Sequence, residues 1–105
     1  MVKTIYNGEY EKKAITEQFL DQLEDMLEND PDVVYLDADL MFAFGAGLWD
    51  LVEKYPDRVL RCGIAEANMI GTAAAMSVMG LKPIIHSFAS FVTRRGFDQI
   101  FLSGA

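Results

Sequence analysis

Cysteine is nearly absent from this chain. Cys62 stands alone among 105 residues, which excludes an internal disulfide and any cysteine-rich metal cluster. Histidine is as scarce, His86 being the only one, so a zinc site of cysteine and histidine has no set of donors, and no metal ligands are expected. No apolar run reaches the roughly 18 residues of a membrane span without charge or interruption. Residues 1–8 have no apolar signal core. Basic side chains are outnumbered, 9 Lys and Arg against 16 Asp and Glu, for a net charge of −7. That balance argues against nucleic acid and anionic membranes as partners. Small anions such as sugar phosphates can still bind where a site is locally positive. A lone cysteine suits a reducing compartment, and a cytoplasmic location is expected.

What the chain has in quantity is apolar surface. Hydrophobic residues make up 51% of it, enough for a core at this length. One domain over 1–105 is expected, at the small end of the usual range of about 100–150 residues. Ile15, Phe19, Leu23, Met26 and Leu27 recur at helical spacing, which predicts an amphipathic helix over 11–28, closed by Asp30-Pro31-Asp32. The short apolar runs 33–36, 59–62 and 83–88 read as strands. Residues 37–47 carry Gly45 and Gly47 and read as a loop. Helices are predicted over 48–55, 65–79 and 91–102, with Gly80 capping the second. Helix and strand alternate throughout, so the fold class is α/β, a doubly wound parallel sheet with helices on both faces. The chain stops directly after a helix, so the domain is expected to be incomplete at its C-terminus.

One carboxylate stands out against this background. Glu66 lies in Gly63-Ile64-Ala65-Glu66-Ala67-Asn68-Met69, and residues 70–79 carry no charge at all. An acid there is costly unless something binds it, and burial is expected to raise its pKa. From the residues alone two readings stay open: an acid favoured by a helix N-terminus, or an acid that handles protons. In open parallel sheets ligands bind at the strand ends. Three ends, 37–39, 62–66 and 88–91, can converge on one crevice.

The segment 63–69, followed by Gly80-Leu81-Lys82-Pro83, Ser87-Phe88-Ala89-Ser90-Phe91 and Arg95-Gly96-Phe97-Asp98-Gln99-Ile100, resembles the pyrimidine-binding domain of transketolases. The resemblance runs from about residue 15 to the end and is densest over 63–100. It favours the separate C-terminal subunit of split transketolases, which the 95–100 spacing suits better than the deoxyxylulose-phosphate synthases. It implies a thiamine diphosphate enzyme that moves a two-carbon ketol unit between sugar phosphates. By the same resemblance Glu66 is the catalytic acid against N1′ of the cofactor's aminopyrimidine. Phe91 stacks on that ring, Phe88 forms a neighbouring wall, and Asp39 lies on the thiazolium side. The bland alternatives are core packing for the phenylalanines and a turn residue for Asp39.

The resemblance also has gaps. Many transketolases place a phosphate-binding serine where this chain has Ala43. No Gly-Asp-Gly motif with a following asparagine pair is present, so the diphosphate and its magnesium are expected on a partner chain. That implies a hetero- or homo-oligomer, inactive without a diphosphate-binding subunit. His86 reads as a core or rim histidine rather than a substrate contact. Arg94 and Arg95 read as surface charges, and by the resemblance Arg95 fits the family's Arg-x-aromatic-acid-Gln pattern, which implies a structural or subunit-interface role. The rival readings are a deoxyxylulose-phosphate synthase, a 2-oxo acid dehydrogenase β-like subunit, or a truncated non-catalytic interaction module.

Overall fold

The computed structural model describes residues 15–103. Its first helix, α1 (Ile15–Asn29), turns the spacing of Phe19, Leu23, Met26 and Leu27 into one inward face, with Leu23 and Leu27 buried. The start of this helix expected over 11–14 lies outside the described residues. The chain then turns on Asp30, whose Oδ1 accepts the Asp32 backbone N–H at 3.0 Å. It enters β1 (Val33–Asp37), where all five residues are buried.

The sheet has three parallel strands in the order β2-β1-β3, with β2 at Val59–Arg61 and β3 at Lys82–His86. The step from β1 to β2 therefore runs one way across the sheet, and the step from β2 to β3 runs back past β1. Right-handed crossovers in opposite directions require their helices on opposite faces. The helices obey this. α2 (Ala46–Lys54) packs Leu48 and Leu51 with Leu23, Leu27, Val33, Tyr35 and Val59 on one face. α3 (Glu66–Val78) packs Met69 and Ala73 with Val34 and Leu36 on the other. Alternate residues of β1 thus serve two cores, which is why the strand reads as an unbroken apolar run. This is the expected doubly wound α/β fold.

Three local expectations are corrected. The loop expected over 37–47 contains a 3₁₀ turn, Met41–Phe44, and α2 begins at Ala46. The third strand ends at His86, because its partner β1 ends at Asp37, the residue in register with it. Ser87 and Phe88 leave the sheet there. The last predicted helix is two, α4 (Ala89–Arg95) and α5 (Phe97–Ser103). Gly96 separates them where the backbone meets α3: a Cβ there would lie 1.9 Å from Ile70 Cδ1 and 2.9 Å from the Val92 carbonyl. The cap of α3 is as expected. Gly80 takes a φ of 94°, its N–H reaches the Ser77 carbonyl at 3.0 Å, and the Leu81 N–H reaches Met76 at 3.0 Å.

Candidate functional site

Parallel strands end together, so the C-terminal ends of β1, β2 and β3 deliver their following segments to one edge. A cavity of about 210 Å³ lies there. Its walls are largely apolar, from Ala38, Leu40, Phe42, Ile64, Phe88 and Phe91, with Asp39, Ser87 and Glu66 as the polar contributions. All four site residues singled out in the sequence, Glu66, Phe91, Phe88 and Asp39, therefore line a single cavity.

Glu66 opens α3 and is only 3% exposed. Arg95 Nη1 donates to both of its carboxylate oxygens at 3.2 Å, and Ser87 Oγ donates to Oε1 at 3.4 Å. The expectation of a raised pKa is overturned. A hydrogen bond from its own backbone N–H, followed by the Arg95 guanidinium and the Ser87 hydroxyl, holds the carboxyl below its ordinary value despite burial. Glu66 is thus ionised at neutral pH in the free chain. Burial was legible in the sequence; the cation 29 residues away was not.

Phe88 precedes α4, and its carbonyl accepts the Phe91 and Val92 N–H groups at 2.9 and 3.0 Å. That turn sets the two rings edge to face, 5.6 Å between centroids at 86°. Phe88 is 53% exposed, so it is not core. One helical turn beyond Phe91, Arg95 lays its guanidinium over the Phe91 ring at 3.9 Å. Arg95 thereby touches both Glu66 and Phe91. These contacts fit the structural role that the family pattern implies for Arg95 and not a surface charge; neither partner was named from the sequence, although the Phe91–Arg95 spacing on a helix was a usable signal.

Asp39 has a φ of 66°, the left-handed region that short polar residues tolerate best. Its Oδ1 accepts from Arg61 Nη2 at 3.2 Å, and Arg61 in turn lies over the Trp49 ring at 5.1 Å. The residue lines the cavity with its charge already partnered.

Behind it sits a carboxylate that sequence reading passed over. Asp37 is fully buried and accepts the Leu40 N–H at 2.6 Å and the Tyr35 hydroxyl at 3.3 Å. Its Oδ2 also lies 2.8 Å from His86 Nδ1. His86 is further packed by the edge of Phe44 at 4.7 Å. Ala43 lies between Phe42 and Phe44 in the 3₁₀ turn and offers no hydroxyl to the cavity. Among the described residues no group of three or more His, Cys, Asp or Glu side chains could hold a metal ion. No helix among them is long and apolar enough to cross a membrane.

A cavity with one buried acid, three phenylalanines and strand-end walls suits a flat heteroaromatic ring. Comparison with known proteins agrees in kind. Residues 11–105 match the family model of the transketolase pyrimidine-binding domain. The 6-deoxy-6-sulfo-D-fructose transketolase subunit SqwH of Clostridium sp. (strain MSTE9) is 40% identical over 95 residues, which is 90% of this chain and 29% of that subunit. A 1-deoxy-D-xylulose-5-phosphate synthase of Frankia casuarinae is 37% identical over 90 residues, 86% of this chain and 13% of the synthase. Among solved structures, a split-gene transketolase described as an inactive β4 tetramer superposes with a TM-score of 0.70 at 34% identity. The match covers 84% of this chain and 29% of that one. The chain thus spans less than a third of the length of these relatives.

Proposed function

The chain belongs to the transketolase pyrimidine-binding domain family, and we propose that it supplies the aminopyrimidine half of a thiamine diphosphate site in a split transketolase. The observation that carries this reading is the 3% exposed Glu66 in the wall of the same cavity as Phe88 and Phe91. These residues fit the ring. Phe91 offers an aromatic wall for stacking, and Phe88 and Ile64 exclude water from the ring's edge. The Glu66 carboxyl group would share a proton with the pyrimidine N1′, the carboxylate holding it in a charge-assisted hydrogen bond at that nitrogen. Ser87 and Arg95 steady that carboxylate, and the apolar walls strengthen the hydrogen bond by keeping the local dielectric low. When bound, thiamine diphosphate supplies the carbon nucleophile and electron sink for moving a two-carbon ketol unit between sugar phosphates. Asp39, which also lines the cavity, is assigned to the thiazolium side by the family resemblance.

A second, diphosphate-binding subunit would hold the diphosphate and its magnesium. The subunit organisation in the names of the relatives supports this arrangement. The synthase relatives favour a second reading, in which the donor is a 2-oxo acid and not a ketose.

The test is Glu66→Gln in the full protein assembled with its diphosphate-binding subunit. Glutamine keeps the size but cannot share a proton with N1′ in the same way. Turnover with a ketose donor should fall by about 10²–10⁴. Near-normal turnover and cofactor affinity would reject the assignment. Turnover with a 2-oxo acid donor and none with a ketose would select the second reading.

A further inference from the structure

We propose that Arg95 is a positioning residue that braces Glu66 against Phe91, fixing the acid and the aromatic wall as one unit before any ring enters between them. The inference rests on the proposed pyrimidine site and assigns Arg95 no contact with the cofactor.

Three observations carry it. The first is charge. Glu66 is 3% exposed, and its ionised carboxylate needs a nearby cation to be tolerated there. Arg95 Nη1 provides it, forked to Oε1 and Oε2 at 3.2 Å each. The second is the ring. The same guanidinium lies 3.9 Å from the Phe91 centroid, so it links two groups that belong to different helices, α3 and α4. The third is the backbone that delivers it. Arg95 ends α4, and Gly96 follows at the point where the chain touches Ile70. Ile70 and Glu66 are four apart on α3 and share a face. The pair Arg95-Gly96 therefore docks on the face that carries Glu66: the glycine on Ile70, the guanidinium on the carboxylate. A lysine could match the charge but not the guanidinium's contact with the Phe91 ring and both carboxylate oxygens at once.

The brace predicts a cofactor effect separable from folding: Arg95→Gln leaves the 3% exposed Glu66 carboxylate without its cation and should melt lower than the parent, whereas Arg95→Lys keeps the charge and should not. The experiment compares Arg95→Gln, Arg95→Lys, Arg94→Gln and Glu66→Gln in the full protein with its diphosphate-binding subunit. Thiamine diphosphate with magnesium is titrated into each, and thermal melting is recorded on the same samples. Arg95→Gln should weaken cofactor affinity about tenfold, the scale of one charge-assisted hydrogen bond. Arg95→Lys should recover part of that loss at an unchanged melting temperature. Arg94→Gln, an equal loss of charge one residue away, should bind like the parent.

Parent-like affinity in Arg95→Gln, with affinity lost in Glu66→Gln, overturns the brace and leaves the pyrimidine site standing. Parent-like behaviour in Glu66→Gln removes the site and the brace together. If Arg95→Gln does not fold, Arg95→Lys decides. Weakened affinity at the parent's melting temperature supports the brace, and parent-like affinity overturns it.

Discussion

Glu66 and Asp37 are both carboxylates out of contact with water, and their surroundings treat them differently. Asp37 is closed in by the Leu40 N–H, the Tyr35 hydroxyl and His86, all within the fold, so its work is to fix the turn after β1. Replacing it by asparagine puts an amide N–H against one of those donors. The expected cost is about 1–3 kcal/mol in chemical denaturation, and a variant as stable as the parent would show the network to be dispensable. Glu66 faces a cavity instead, and its ionisation has a signature in pH. Its pKa in the fold lies below the ordinary 4.5, chiefly because of its own N–H and then Arg95. A depressed carboxylate stabilises the fold fully above its unfolded value, and that contribution disappears as the pH falls through the folded value. Glu66→Gln should therefore melt lower than the parent at pH 6, with the gap narrowing on acidification towards pH 3. A gap that stays constant or widens would contradict the ion pair. At this scale the sequence was half legible. An uncharged stretch after Glu66 announced its burial, but nothing local announced Arg95, and so the direction of its pKa was misread.

Elements were legible wherever one period ran uninterrupted. The α1 stripe and the apolar run of β1 each answer to a single packing surface or pair of surfaces, so position in the chain predicts burial. The misread segments are those where tertiary contact overrules local pattern. The apolar spacing from Phe91 to Leu102 continues through Gly96 as if the helix did, yet the approach of Ile70 divides it into α4 and α5. Ser87 and Phe88 look like strand, but β1 has already ended and offers them no partner. Gly96→Ala tests the first of these. Helix propensity alone favours alanine by about 1 kcal/mol. The contacts at 1.9 Å to Ile70 and 2.9 Å to the Val92 carbonyl oppose it. Overpacking of this kind costs roughly 1–3 kcal/mol, so we expect net destabilisation by denaturant titration. An unchanged or higher midpoint would mean that α3 and α4 separate easily, and would also weaken the placement of Arg95 on Glu66.

Seen whole, the described residues bury two good cores and leave a third apolar region uncovered. Neither α4 nor α5 has a fully buried residue, and Phe97 and Phe101 stack on each other, 6.3 Å apart, while 61% and 69% exposed. Leu102 in the same helix and Val78 and Met79 at the end of α3 are exposed as well. β2 and β3 are the outer strands of the sheet among the described residues. Apolar surface of this extent drives association, as do open strand edges. The net charge of −7 opposes it only through repulsion that ordinary salt screens. The 105-residue chain expressed alone should therefore self-associate, with a sedimentation coefficient that rises with concentration in about 0.15 M salt. Phe97→Ser with Phe101→Ser should lower that association without changing the helical circular dichroism, because neither ring is part of either core. A parent chain that sediments as a monomer at every concentration would show that this face needs no cover, and would remove the structural reason for expecting a partner against it.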